Sequence, residues 1–77
     1  MTKSLTQIKN GGSAIVTDLV CSGSVRQRLV DLGVFKGVKI NIKGAAPLGD
    51  PIIIEINSVE IAIRKNDAKD VLVEECK

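Results

Sequence analysis

Val38, Ile40 and Ile42 alternate with Lys39, Asn41 and Lys43, and the same two-residue period returns where Val59, Ile61 and Ile63 alternate with Glu60, Ala62 and Arg64. Successive side chains of a strand point to opposite faces, so each run reads as a half-buried strand of an antiparallel sheet. Between them, Ile52-Ile53-Ile54-Glu55-Ile56 is almost continuously apolar, the pattern of a strand covered on both sides or curling within a small barrel. Asn57-Ser58 supplies a two-residue hairpin turn that pairs this run with the next.

The rest of the chain adds two strands and little else. Leu5 and Ile8 are expected to pack a short first turn before the turn signal Asn10-Gly11-Gly12, and Ala14-Ile15-Val16-Thr17-Asp18-Leu19-Val20 then reads as the first strand. Ser24 is placed to cap a helix whose Val25, Leu29 and Leu32 share a buried face, with Gly33 closing its end. Arg26 and Asp31 fall on the opposite face, with Arg28 at the boundary. Asn66 is expected to cap a single helical turn before a last strand, Val71-Leu72-Val73. Five strands, one inserted α-helix and a short helical turn before the last strand, in 77 residues, make a single mainly-β domain over residues 1–77. A small closed or nearly closed barrel also removes the edges that such isoleucine-rich strands would expose.

Composition excludes more functions than it suggests. The formal charge of +2, from 11 Lys plus Arg against 9 Asp plus Glu, is too balanced to indicate a polyanionic partner. Lys36, Lys39 and Lys43 form a basic strip with Arg64 and Lys65, but Phe35 is the only aromatic residue, so stacking platforms for bases are missing. Nucleic acid is therefore not the expected partner. Histidine is absent and Cys21 and Cys76 belong to no CxxC pair, so no familiar metal site is spelled out and neither a metal nor a cofactor is expected. A nucleophilic Cys21 lacks a histidine base, and no phosphate-cradling glycine loop occurs, which argues against an enzyme. The cysteines read as free thiols. No run is long enough to span a bilayer and no signal-peptide pattern follows Met1, so a cytosolic protein without membrane insertion is expected.

The segment Ala46-Pro47-Leu48-Gly49-Asp50-Pro51 interrupts the strands with two prolines and a leucine between them. Proline fixes its own φ and restrains the residue before it, while Gly49 permits the turn, so the loop is shaped. Leu48 either folds back onto the barrel or is exposed as an anchor for a partner. Asp50 is expected to bond nearby backbone N–H groups in a turn before Pro51. Arg28 is the charged neighbour that can meet a partner's carboxylate, and Phe35 is read as a lid on the barrel end or a contact for a partner or second copy.

Arg28-Leu29-Val30-Asp31-Leu32-Gly33, the turn at Gly37, the loop from Ala46 to Pro51 and the ending Ala68-Lys69-Asp70-Val71-Leu72-Val73 together resemble the FeoA family of ferrous-iron transport proteins. The resemblance covers almost the whole chain. It implies an SH3-like five-stranded barrel and a small cytosolic, non-enzymatic accessory that docks on FeoB, the membrane ferrous-iron transporter, and supports or regulates it. Arg28, Phe35, Pro47, Leu48, Gly49 and Asp50 are the residues expected to carry that contact. Two positions depart from the family pattern: Val34-Phe35-Lys36-Gly37 lacks the proline that often precedes the glycine, and Asn57-Ser58-Val59 lacks the glycine and aromatic residue found in many members. The alternatives are a generic small-barrel binding module, with weak self-association through Phe35 and Leu48 or nucleic acid on its lysines, and a free-standing relative of the carboxy-terminal domain of metal-dependent repressors.

Overall fold

The computed structural model describes residues 2–21 and 23–76. Six strands, β1 (Thr2–Ser4), β2 (Ser13–Leu19), β3 (Lys39–Ala45), β4 (Ile52–Ile56), β5 (Val59–Ile63) and β6 (Val71–Glu75), form one antiparallel sheet in the order β1-β6-β2-β3-β4-β5. Helix α1 (Gly23–Asp31) is inserted between β2 and β3, and the single turn α2 (Lys65–Ala68) between β5 and β6. The mainly-β architecture with these two insertions is the one expected, with one strand more. Among the described residues β1 and β5 stand at the two ends of the sheet.

The extra strand has no apolar alternation to announce it. Thr2, Lys3 and Ser4 pair with Glu74, Val73 and Leu72, because β6 runs on to Glu75 and offers its far edge. Ser4 then caps a 3₁₀ turn over Leu5–Gln7: its hydroxyl accepts the Thr6 N–H at 3.3 Å, and Gln7 Oε1 accepts the Ser4 N–H at 2.7 Å. This reciprocal pair satisfies N–H groups that the short turn leaves open and turns Leu5 into the core.

The middle of the sheet holds the core. Ala14 and Val16 of β2, Ile40 of β3, Ile54 of β4 and Val71 and Val73 of β6 are all at most 1% exposed. Two register shifts, between Val16 and Asp18 and between Ile42 and Gly44, bend β2 and β3 so that the sheet curls over these side chains. Asn57 and Ser58 both have positive φ, 52° and 69°, the pair of values a two-residue turn needs to match the twist of its strands. It sets Ile52, Ile54 and Ile56 opposite Ile63, Ile61 and Val59, as the sequence indicates. The inward face of β5 fades along its length, from buried Ile63 through half-buried Ile61 to exposed Val59.

Helix α1 differs from expectation at both ends. It starts at Gly23, so Ser24 lies inside it rather than at its cap. It ends at Asp31, where Gly33 takes φ +99°, its N–H donating to Val30 O at 3.0 Å and that of Val34 to Leu29 O at 2.9 Å. This left-handed closure folds Val34 inward against the core with Leu29 and leaves Leu32 exposed. The expected buried face thus keeps Leu29 and a half-buried Val25 but exchanges Leu32 for Val34. In α2, Asn66 is likewise inside the turn and supplies no cap.

Candidate functional site

The loop from Ala46 to Pro51 is pinned at two levels. The Ala46 N–H donates to Pro51 O at 2.9 Å across its base, and the Gly49 N–H donates to Ala46 O at 2.7 Å, closing a turn with Pro47 and Leu48 at its centre. Gly49 has φ +86°, and the Asp50–Pro51 peptide is cis. Leu48 stands at the tip, 96% exposed, the most exposed large apolar side chain described. Leu48 therefore does not fold back onto the sheet.

Asp50 acts at longer range than expected. Its Oδ1 accepts the backbone N–H of Lys65, the first residue of α2, at 3.0 Å, instead of an N–H of its own turn. The carboxylate thereby supplies the cap that neither Arg64 nor Asn66 provides and ties the loop to the far end of the hairpin. The Lys65 ammonium lies over Gly49, about where a larger residue would make contact. Arg28 of α1 reaches α2 from the other side, its guanidinium 3.2 Å from the Asp67 carboxylate. The guanidinium is mostly exposed, so this pair fixes position more than it adds stability.

These contacts frame an open groove of about 470 Å³ between α1, the end of β5 and α2. Leu29, Leu32, Ala62 and Ile63 give it an apolar floor, and Arg28, Asp50, Arg64 and Asp67 stand at its rim. Of the residues singled out from the sequence, Arg28 and Asp50 meet here, with Pro47, Leu48 and Gly49 on the adjoining turn. Phe35 does not line the groove. It sits in the connection from α1 to β3, 48% exposed. The groove also takes in Leu32, expected in the core, Arg64, expected only in the basic strip, and Asp67, which is not among the expected contact residues. Helical periodicity ignores where the helix stops and so assigns Leu32 to the core, and nothing local to Arg64 or Asp67 points to a groove. Of the basic strip, Lys43 faces Glu55 at 3.9 Å.

Cys21 and Cys76 are free thiols, both half-buried. Among the described residues no group of three or more His, Cys, Asp or Glu gathers where a metal ion could be held, and no helix is long and apolar enough to cross a membrane.

A six-stranded sheet with an inserted helix, bent over one small core, places the chain among small SH3-like β domains. Residues 3–75 match the FeoA domain, and the chain belongs to the FeoA family. It is similar to an FeoA-like protein of Clostridium acetobutylicum, with 33% identity, a TM-score of 0.91 and coverage of 99% of this chain and 88% of that one. It is also similar to FeoA of Stenotrophomonas maltophilia, solved with zinc and described as a prokaryotic SH3 domain protein, at 25% identity and a TM-score of 0.79, covering 92% of this chain and 88% of that one. A curated relative is the Fe(2+) transport protein A/Fe(2+) transporter FeoB fusion protein of Porphyromonas gingivalis, 29% identical over 70 residues. That match takes in 91% of this chain but only 8% of the fusion protein. The family is one of ferrous-iron transport.

Proposed function

We infer that this chain is a cytosolic, non-enzymatic accessory of ferrous-iron uptake that docks on an FeoB-like transporter and supports or regulates it. One observation carries the reading: in the P. gingivalis relative, an FeoA-like segment and FeoB belong to one polypeptide. Fusion fixes two modules at equal number and high effective concentration, which is of use when the two must meet. The docking surface is the corner made by Pro47, Leu48, Gly49 and Asp50 with Arg28 beside it, and Phe35 forms a second point of contact. Leu48 presents a full apolar side chain on a turn already closed by two hydrogen bonds, so binding would order little that is not ordered beforehand. Arg28 keeps most of its guanidinium accessible to a carboxylate of the transporter.

The test is the binding of this chain to detergent-solubilised FeoB from the same cell, read by interferometry. Leu48→Glu should weaken it by about tenfold or more, since a desolvated leucine anchor is worth on the order of 1.5–3 kcal/mol. Circular dichroism shows whether the variant is folded. Binding unchanged in both Leu48→Glu and Phe35→Ala would overturn the assignment of this surface, and absence of binding by the unaltered chain would overturn the docking itself.

A further inference from the structure

The two ends of the sheet are guarded very differently. β1 is three residues long and carries Lys3, which is bound to Glu75 at 2.8 Å. β5 is five residues long, pairs with β4 in unbroken register, and contains neither proline nor lysine between Val59 and Ile63. Short length, bulges, proline and lysine are among the devices that keep edge strands from pairing with another chain, and β5 has none of these four, its one charge being Glu60.

The backbone groups that this edge offers follow from the hairpin. A two-residue turn makes Ile56 and Val59 a hydrogen-bonded pair, and such pairs alternate along an antiparallel ladder. Ile61 and Ile63 therefore bond β4, while Glu60, Ala62 and Arg64 direct their N–H and C=O groups away from it. The Arg64 carbonyl already accepts the Asp67 and Ala68 N–H groups of α2. The others lie open, and the groove of about 470 Å³ beside Ala62 and Arg64 leaves room along this edge.

Charge selects the partner. Glu60 sits opposite Glu55 on β4, a like-charge pair, and Glu55 turns to Asn41 at 3.4 Å and Lys43 at 3.9 Å. Among the described residues Glu60 has no cation and Arg64 no carboxylate within ion-pair distance. We propose that β5 is a self-complementary docking edge that takes β5 of a second copy of this chain, antiparallel about a two-fold axis through Ala62.

In that register Ala62 faces Ala62, and each Glu60 faces the second copy's Arg64, so two opposite-charge pairs form at once. Each Ala62 exchanges its N–H and C=O bonds with its equivalent, and each Arg64 N–H donates to the opposite Glu60 carbonyl, giving four bonds without using the occupied Arg64 carbonyl. Ile61 packs beside the second copy's Ile63 on the core face. An axis through Glu60 would oppose two glutamates, and one through Ile61 would leave Arg64 facing Ser58. The contact is symmetric and therefore closes as a dimer.

Sedimentation velocity of the isolated chain over a concentration series, at low salt, tests this without any transporter present. A monomer–dimer equilibrium is expected, with Glu60→Arg and Arg64→Glu each weakening it by about tenfold. The double variant Glu60→Arg/Arg64→Glu exchanges both charges and should restore the dimer. Hydrogen exchange gives a reading that needs no variant: the Ala62 and Arg64 amides gain protection as concentration rises, while that of Glu60 does not. A chain that stays monomeric throughout the series, or a dimer that both single reversals leave intact, overturns the proposal.

Discussion

The centre of the sheet and the corner where the loop from Ala46 to Pro51 meets the β4–β5 hairpin use the same kinds of residue for opposite ends. In β2, β3 and β6, apolar side chains such as Val16, Ile40 and Val73 are at most 1% exposed. At the tip of that loop Leu48 is 96% exposed, and at the turn end of edge strand β5 Val59 is 60% exposed. The inward-facing side chains of the central strands are covered by the rest of the sheet, whereas a turn tip and the end of an edge strand are covered on fewer sides. Apolar residues at the centre hold the fold; those at the corner are free to serve contacts, and a change in one region should leave the property carried by the other untouched.

The sharpest way to break this contrast is to empty a central position. Ile40→Ala should cost about 3 kcal/mol in urea unfolding, a large share of the roughly 5–15 kcal/mol that holds a small domain. A loss under about 1 kcal/mol would mean that the centre is not packed as described. Next in size is Gly33→Ala, for which a left-handed backbone should cost about 1–2 kcal/mol, since nothing lies within 4 Å of the added methyl to compensate or aggravate it. Asp50→Ala, which removes the cap on Lys65, should cost about 1 kcal/mol, and Asp50→Asn should recover most of it. Equal losses in both Asp50 variants would show that the amide oxygen cannot replace the carboxylate as acceptor.

Leu48→Glu should change stability by no more than about 0.5 kcal/mol while weakening transporter binding, which separates contact from fold most cleanly. Smallest of all is Arg28→Ala, expected to shift unfolding by a few tenths of a kcal/mol at most, and less in high salt, because its pair with Asp67 is largely exposed. A large, salt-insensitive effect would move Arg28 from the rim to the framework.

Much of this division is legible in the residues, and the gaps have identifiable causes. The alternation of residues 38–43, the isoleucine run and the Asn57-Ser58 turn identify β3, β4 and β5, because a two-residue period and two positive φ values are local properties. Gly33 similarly marks the end of α1. Periodicity assigns Leu32 to the core because it cannot see the left-handed turn that gives that place to Val34. The strand at Thr2–Ser4 has no pattern of its own and exists because β6 extends far enough to bond it. Asp50 caps a helix fifteen residues away, a partnership that no local rule anticipates.

Sequence alone determined the strand faces, the hairpin, the rigidity of the loop and the absence of histidine chemistry, since each depends on a residue and its near neighbours. Tertiary structure decided that Leu48 faces water, that Asp50 and Arg28 both anchor α2 beside a groove, that Phe35 stands apart from it, and that β5 ends the sheet. Those outcomes depend on which surfaces remain after long-range pairing has used the others.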